Sequence, residues 1–536
     1  MHAVYGYSRS YYINDEIAEE NFAAGDDNND GLSAQTPKRH INALLVDELS
    51  EIPGMTIHVS EGIYEENLIL DSQHRGLAII GAGSVRTVID GGIDNSCMKL
   101  ENSGPIRIEG LSLINGSAEF GGGINSNQAY LGLINCSLRN NSASAQGGGM
   151  CVSGGNTIIA DCKFIGNAAL HAGALLNRQQ STCTVTRTIF RENSANFWGG
   201  AVNNANDSKV TLRQCILVHN STKHGAGAIL NHNGGEMSLM NCTIVNNHTE
   251  NYSGLGGGAI LNEGIGGFAM LENCILWYNT PNQIYTEENN LSVTYSNLQG
   301  SWPGEGNNID VDPLFADLQN MDYHLKSQTG RWDPNTQSWV TNDVTSLCID
   351  AGDPNSNWSA ELWPHGKRIN MGAYGGTTEA SMSLSDAGDI RDLNNDSFIT
   401  WDDVLLLADK WDSNDAPIRE DLNLDGVVDV NDLMFFESNW TLDADNSAPV
   451  FDSPGSQYVT VGGSYTFTAD ASDIDGDELT YIALGLPEGA EFSNQAFSWT
   501  PVLTGTYFVT FIVSDRNSLD YMTVQITADQ MEEVSN

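Results

Sequence analysis

Basic side chains are scarce: 23 Lys and Arg stand against 69 Asp and Glu in 536 residues, a formal charge of −46. Such a surface repels phosphate backbones and anionic headgroups, which excludes nucleic acid and a charged membrane face as partners and makes cations the natural companions. A run of about 18 apolar residues is also lacking, so no segment is built to span a bilayer. The nine cysteines include no CxxC and no neighbouring His pair, which argues against a zinc-type site and makes a disulfide framework the weaker reading. Met1 to Tyr12 lacks the apolar core of a secretory signal. That leaves a cytoplasmic chain or an exported one whose signal is gone. The acidic loops described below need a calcium-rich compartment and favour an extracellular or cell-surface protein with an added Met1. Proline is sparse at 14, whereas Gly reaches 55 and Asn is abundant, a mixture suited to tight turns and short strands.

At roughly 150 residues per domain the length suggests three or four domains, unless an elongated β architecture intervenes. The acid is unevenly spread. From Asp386 to Asn536 there are 30 acidic and 4 basic residues, and this shift marks a domain boundary.

Between residues 120 and 280 the sequence repeats. Aligned on one position, Cys136, Cys162, Thr188, Cys215, Cys242 and Cys274 follow one another at steps of 26, 26, 27, 27 and 32 residues. Two residues after each comes an apolar side chain (Leu138, Phe164, Phe190, Leu217, Ile244, Leu276), and three before comes an aliphatic one (Leu133, Ile159, Val185, Leu212, Leu239, Leu271). These stripes face inward, and the Cys column packs as small hydrophobes. Five residues after the Cys position sits Asn141, Asn167, Asn193, Asn220, Asn247 or Asn279. A Gly-rich step recurs at Gly123, Gly149, Gly173, Gly200, Gly227 and Gly258, followed in most coils by another Asn (Asn127, Asn177, Asn204, Asn231, Asn262). Three short β runs per 26 to 27 residues predict a parallel β-helix, each coil stacked on the last at about 4.8 Å. An Asn column at a turn predicts a hydrogen-bonded ladder that satisfies buried backbone groups.

The coils resemble the right-handed parallel β-helix of pectate-lyase-like proteins. The FxxN motifs Phe164 to Asn167 and Phe190 to Asn193, with GGA at Gly199 to Ala201, are similar to repeats of chlamydial polymorphic outer membrane proteins. Tyr11-Tyr12-Ile13-Asn14, Gly25 to Gly31, Thr36-Pro37 and Gly62-Ile63-Tyr64 resemble the N-terminal cap of secreted bacterial β-helix proteins, with an amphipathic helix expected over Pro37 to Leu49. Asp310 to Phe315, Tyr323-His324-Leu325, Cys348 to Asp353 and Asn370 to Tyr374 resemble the C-terminal end of the same group. The expected division is a cap over 1–55 and a β-helix with an irregular extension over 56–378.

This fold commonly carries polysaccharide lyases and hydrolases, which need a base or grouped carboxylates. The acids of the repeats (Glu119, Asp161, Glu192, Asp207, Glu236, Glu250) fall at different coil positions and form no stack. A stripe before the Gly step holds Phe120, His171, Trp198, Lys223 and His224, with His219 and Trp277-Tyr278 near another turn. Its rings could stack on sugars, which makes Phe120, His171, Trp198, Trp277 and Tyr278 carbohydrate-binding candidates. Lys223 and His224 are the only candidates for a base, and coil capping is the plainer role for all of them.

Residues 386–442 carry two twelve-residue acidic loops. Asp392, Asn394, Asp396, Phe398, Thr400 and Asp403 in the first, and Asp421, Asn423, Asp425, Val427, Asp429 and Asp432 in the second, place oxygen donors at EF-hand positions for calcium, with main-chain carbonyls at Phe398 and Val427. Each loop leads into an apolar helix. The duplicated pattern resembles a type I dockerin, which implies a cohesin-like scaffold protein as partner through Trp401-Asp402 and Val430-Asn431. Ser397 departs from the usual Gly. After the linker-like stretch Asp443 to Pro449, alternating runs over 448–530 predict a β-sandwich. There Asp473, Asp475, Asp477 and Asp515 resemble the calcium-holding acids of cadherin-like bacterial domains.

The expected fold class is thus mainly β: a right-handed parallel β-helix, a small α dockerin-like double loop, and a β-sandwich. The expected function is adhesion, carbohydrate association or surface assembly. The rivals are a polysaccharide lyase or glycosidase carried by a dockerin, and a structural subunit of a fibre or surface layer.

Overall fold

The computed structural model describes residues 10–530 except 16, 19–20, 48–53, 251–255, 265, 288–289, 386, 395, 397, 415–416 and 438–445. Met1, Leu49, Asp386, Ser397 and Asp443 to Asp445 therefore lie outside the described residues. The chain forms two compact units, Met1–Tyr323 with Ser346–Ser356 and Arg368–Gly375, and His324–Thr345 with Asn357–Lys367 and Gly376–Asn536.

The first unit is a parallel β solenoid. Its strands stack into an 18-stranded, a 10-stranded and a 6-stranded sheet. The middle coils have four short strands rather than the expected three, whereas the coil of Ile260–Asn262, Phe268–Glu272 and Ile275–Trp277 shows three among the described residues. One coil runs Leu175–Arg178, Thr182–Thr186, Ile189–Arg191 and Ser194–Phe197. In two earlier coils the first two strands fuse into the continuous strands Ile124–Ile134 and Met150–Ala160. Successive coils keep strict register, as in Phe164↔Phe190↔Leu217↔Ile244↔Leu276. The inward stripes are fully buried, and Phe164 stacks on Phe190 at 4.9 Å. All nine cysteines are buried and free. The thiols also donate to carbonyls, Cys215 Sγ to Arg213 O at 3.2 Å, and Thr188 reproduces this with its hydroxyl on Thr186 O at 2.9 Å.

The Asn column forms the expected ladder. Each Nδ2 donates to the Oδ1 one coil on: Asn141 to Asn167 at 3.1 Å, Asn167 to Asn193, Asn193 to Asn220, Asn220 to Asn247 and Asn247 to Asn279 at 2.9 Å. A second ladder links Asn177, Asn204, Asn231 and Asn262 at 2.8 Å per step and ends on Asn290 at 2.7 Å. Ser10–Ile13 adds to Thr56–Val59 at the first coil, and helix α1 (Ile41–Asp47) buries Ile41, Leu44 and Leu45. Both oxygens of the buried Glu66 accept from the first amides of α1, Ile41 and Asn42, at 2.8 Å.

In the second unit, helices α2 (Trp401–Asp409) and α3 (Val430–Glu437) follow the two acidic loops and share a core with Ile512 and Leu519. The C-terminal region is a β-sandwich, with Gln457–Thr460, Leu519–Asp529, Gly505–Ser514 and Thr480–Leu484 in one sheet and Tyr465–Thr468, Ala496–Trp499 and Glu491–Ser493 in the other. Phe497 and Phe511 fill its centre. Among the described residues no helix is long and apolar enough to cross a membrane.

Candidate functional site

The six-stranded sheet ends, coil after coil, in Phe120, Gln146, His171, Phe197 and His224, which stand in register. The next residue turns the corner in the left-handed region: Gly121, Gly147, Ala172, Trp198 and Gly225 have φ of 59, 68, 58, 61 and 93°. A left-handed corner favours Gly, so Trp198 marks the one coil where this column carries a large side chain. Its indole stacks on the His171 ring at 4.3 Å, and Phe197 stacks on His224 at 5.1 Å while tilting against His171 at 5.5 Å. The stacking leaves Phe197 and His224 exposed. Trp198 is 37% exposed, and Gly225 presents no side chain at the equivalent position of the next coil.

The structure thus brings together His171, Trp198 and His224 from the expected stripe, and adds residues that sequence reasoning missed. Arg178 lies 4.9 Å over the Phe120 ring and is anchored by Ser153 Oγ at 2.7 Å and by Gln146. Behind Trp198, His232 is buried and its Nε2 lies 3.0 Å from Asn203 Oδ1. Burial pushes His232 down to about 4 and also lowers His171, so both imidazoles are neutral at neutral pH. Only the register between coils could have revealed this grouping, because the partners lie 25 to 58 residues apart.

Beside the ring column runs a groove of about 460 Å³, floored by small side chains such as Ser142, Ala169, Ala195 and Thr222. Lys223 and Glu250 are its only ionisable lining residues. Among its described lining residues Glu250 is the single carboxylate, whereas hydrolysis by two acids needs a pair. Near the other corner, Trp277 is buried at 6% exposure, its ring withdrawn from solvent, whereas Tyr278 is 43% exposed.

The two acidic loops of the second unit fold alike. Asp396 N–H donates to Asp392 Oδ1 at 3.0 Å and Asn394 Oδ1 at 2.8 Å, and Asp425 N–H donates to Asp421 Oδ1 at 3.1 Å and Asn423 Oδ1 at 2.9 Å. The twelfth residue of each loop is fully buried. Asp403 accepts from Asn394 N–H at 3.1 Å and Thr400 N–H at 2.8 Å, and Asp432 from Asn423 N–H at 3.1 Å and Asp429 N–H at 2.8 Å. Burial raises the pKa of Asp403 and Asp432, and Asp392 with Asp396, or Asp421, adds to the rise. Phe398, Thr400 and Val427 line the same loops, with Thr400 capping α2. Arg419, missed in the sequence, donates to Leu393 O and Ser359 O beside the first loop. Among the described residues no three His, Cys, Asp or Glu side chains converge on one point; the loop donors include amides, a hydroxyl and main-chain carbonyls. Past the loop ends carrying Trp401-Asp402 and Val430-Asn431, Leu405 and Leu406 on α2 and Met434 and Phe435 on α3 are exposed in matching pairs.

In the sandwich, Asp473 Oδ1 accepts from Asp475, Gly476 and Asp477 N–H at 2.8, 2.8 and 3.2 Å. Burial raises Asp515, but bonds from Asn446, Ser518 and Asn517 outweigh it and hold the carboxyl below its ordinary value. Asn446 Nδ2 donates to Asp515 while the neighbouring Ser447 N–H donates to Asp475, so both acidic groups border the same entry strand.

Together these features define a right-handed β-helix protein with a C-terminal Ig-like domain. A family model described as right handed beta helix region matches residues 79–249, one described as disaggregatase related matches 238–352, and the Ig-domain model He_PIG matches 448–528. Among solved structures, an endo-fucoidan hydrolase from glycoside hydrolase family 107 is 23% identical over 18% of this chain and 16% of its own, with a TM-score of 0.16. Pectin methylesterase from carrot is 8% identical over 55% of this chain and 90% of its own, with a TM-score of 0.31. Pectin methylesterase PemA from Erwinia chrysanthemi is 8% identical over 56% of this chain and 74% of its own, with a TM-score of 0.21. The chain spans between 16% and 19% of the length of the glycosidases it matches. No curated protein matches it.

Proposed function

We propose that this is an extracellular or cell-surface protein whose β-helix associates with carbohydrate and whose 386–442 segment is a dockerin-like, calcium-ordered docking module. The observation that carries the carbohydrate reading is the exposed Trp198 ring, stacked on His171 beside a groove whose described lining holds only Lys223 and Glu250 as ionisable groups. A sugar needs a ring face and neutral polar neighbours, and catalysis would need a positioned acid and base. The side chains of Lys223 and His224 are exposed and, among the described residues, enter no hydrogen bond or ion pair, which supports passive binding.

The loop residues fit a hard cation. Their donors are all oxygen, and two buried carboxylates face further carboxylates with their charge opposed by burial. Asp392, Asn394, Asp396 and Asp403, with their counterparts Asp421, Asn423, Asp425 and Asp432, would hold calcium, which supplies neutralising charge and so couples its binding to folding. Asp473, Asp475, Asp477 and Asp515 are proposed as a further calcium site. The exposed pairs Leu405-Leu406 and Met434-Phe435 offer an apolar surface for a cohesin-like scaffold.

Retention on a polysaccharide panel in calcium tests the reading. Trp198→Ala should weaken retention by about 1–2 kcal/mol, while Lys223→Ala and His224→Ala change little. Formation of unsaturated or reducing products, lost in the Lys223 or His224 variants, would replace binding by catalysis.

A further inference from the structure

The first Asn ladder does not end in the solenoid interior. Asn279, its last member, passes its Nδ2 donor to Gln283 Oε1 at 2.7 Å, and Gln283 Nε2 lies 3.4 Å from Gln299 Oε1, which also takes Tyr278 N–H at 2.8 Å. No described residue takes up the Nε2 amine of Gln299. The chain of amides therefore opens with a free donor onto a groove of about 620 Å³.

Tyr278, Pro281, Trp302 and Pro303 belong to the apolar lining of this groove, and Asn282 and Gln299 to its polar lining. Tyr278 sits at a left-handed corner, φ 57°, in the column that holds Asn140, Gly166, Glu192, His219 and Asn246 in other coils, and the corner sends its ring outward at 43% exposure. Trp302 packs one side against the solenoid core and is itself only partly buried. Among its described lining residues there is no Asp, Glu, Lys, Arg or His, in a chain of formal charge −46. A groove that joins aromatic faces to amide donors and acceptors, with charge kept out, has the chemistry of a neutral sugar. An anionic glycan would meet an acidic protein with no cationic side chain in the groove to receive it.

We infer that this groove is a second carbohydrate site, selective for uncharged oligosaccharides, with Tyr278 and Trp302 as stacking surfaces and Gln299 as a hydroxyl-binding amide. It is independent of the face around Trp198, and separate variants tell the two apart.

Calorimetric titration of the full chain with cellohexaose, xylohexaose and mannohexaose, against trigalacturonate as charged control, tests it. In a Trp198→Ala background, which removes the stacking surface of the other face, at least one neutral probe should still bind, and Tyr278→Ala and Gln299→Ala should each weaken it about tenfold. Tyr278 and Gln299 are not core residues, and unaltered circular dichroism of the variants confirms folding. The inference is overturned if no neutral probe binds, if trigalacturonate binds better, or if Trp198→Ala abolishes binding that Tyr278→Ala spares; the last result would move the site to the other face.

Discussion

Asn193 in the solenoid and Asp403 in the first acidic loop are both fully buried polar side chains. Asn193 meets its own kind: it accepts from Asn167 and donates to Asn220 Oδ1 and to Phe164 O, all near 2.9 Å. Asp403 receives two backbone amides, yet faces the carboxylates of Asp392 and Asp396, and burial raises its pKa above the ordinary carboxylate value. A neutral amide column is complete without outside help, because every donor finds an acceptor one coil away. A carboxylate cluster is incomplete until something positive enters.

Chelation should separate the two regions most widely. EDTA is expected to raise proteolytic cleavage between Asp392 and Asp432 by about tenfold or more while the solenoid keeps its protection, since a bound ion stabilises only the state that holds it. Equal protection with and without chelator would remove calcium from the account. Next in size is Asn193→Ala, which strands the Asn167 donors and the Phe164 carbonyl; a loss of about 3–5 kcal/mol is expected in denaturant titration. A loss below about 1 kcal/mol would mean that the ladder is ornamental rather than structural.

A smaller effect tests the neutral character of the solenoid's aromatic corner. His232 is lowered to about 4 in the folded chain, so the unfolded chain takes up a proton first as pH falls. Stability is then full above the ordinary imidazole range and is lost between about pH 6.5 and 4, by up to about 3 kcal/mol. His232→Gln should flatten that slope; an unchanged slope would place its origin elsewhere. The smallest effect belongs to the thiol column. Cys215→Ser should cost about 1 kcal/mol or less, because Arg213 O already accepts from Sγ and Thr188 shows that a hydroxyl fits this position. A large loss would show that apolar packing, not carbonyl bonding, dominates there.

The solenoid was legible because stacking in register turns a spatial column into a sequence period, and the Cys and Asn columns declare it. The fourth strand was not, since Ser142–Gln146 and Ala168–His171 are short and built of small residues that give no apolar alternation. Trp277 and Tyr278 looked equivalent in sequence. The left-handed corner separates them, burying the first and projecting the second. Arg178 and His232 carried no local signal, because their partners lie on other coils. The two loops were readable residue by residue, whereas the exposure of Leu405, Leu406, Met434 and Phe435 depends on which helix faces the sandwich.

The Asn ladders have one more property: all their side-chain-to-side-chain links run the same way, each amide handing one hydrogen to the Oδ1 one coil toward the C-terminus. A ribosome delivers the coils in that order. Each newly closed coil thus shows the emerging chain a row of unfilled donors, and the incoming coil supplies the oxygens. A solenoid that closed its coils in that order would use each layer as the template for its successor, and a coil with its Asn replaced would leave the donors of the layer before it unmet.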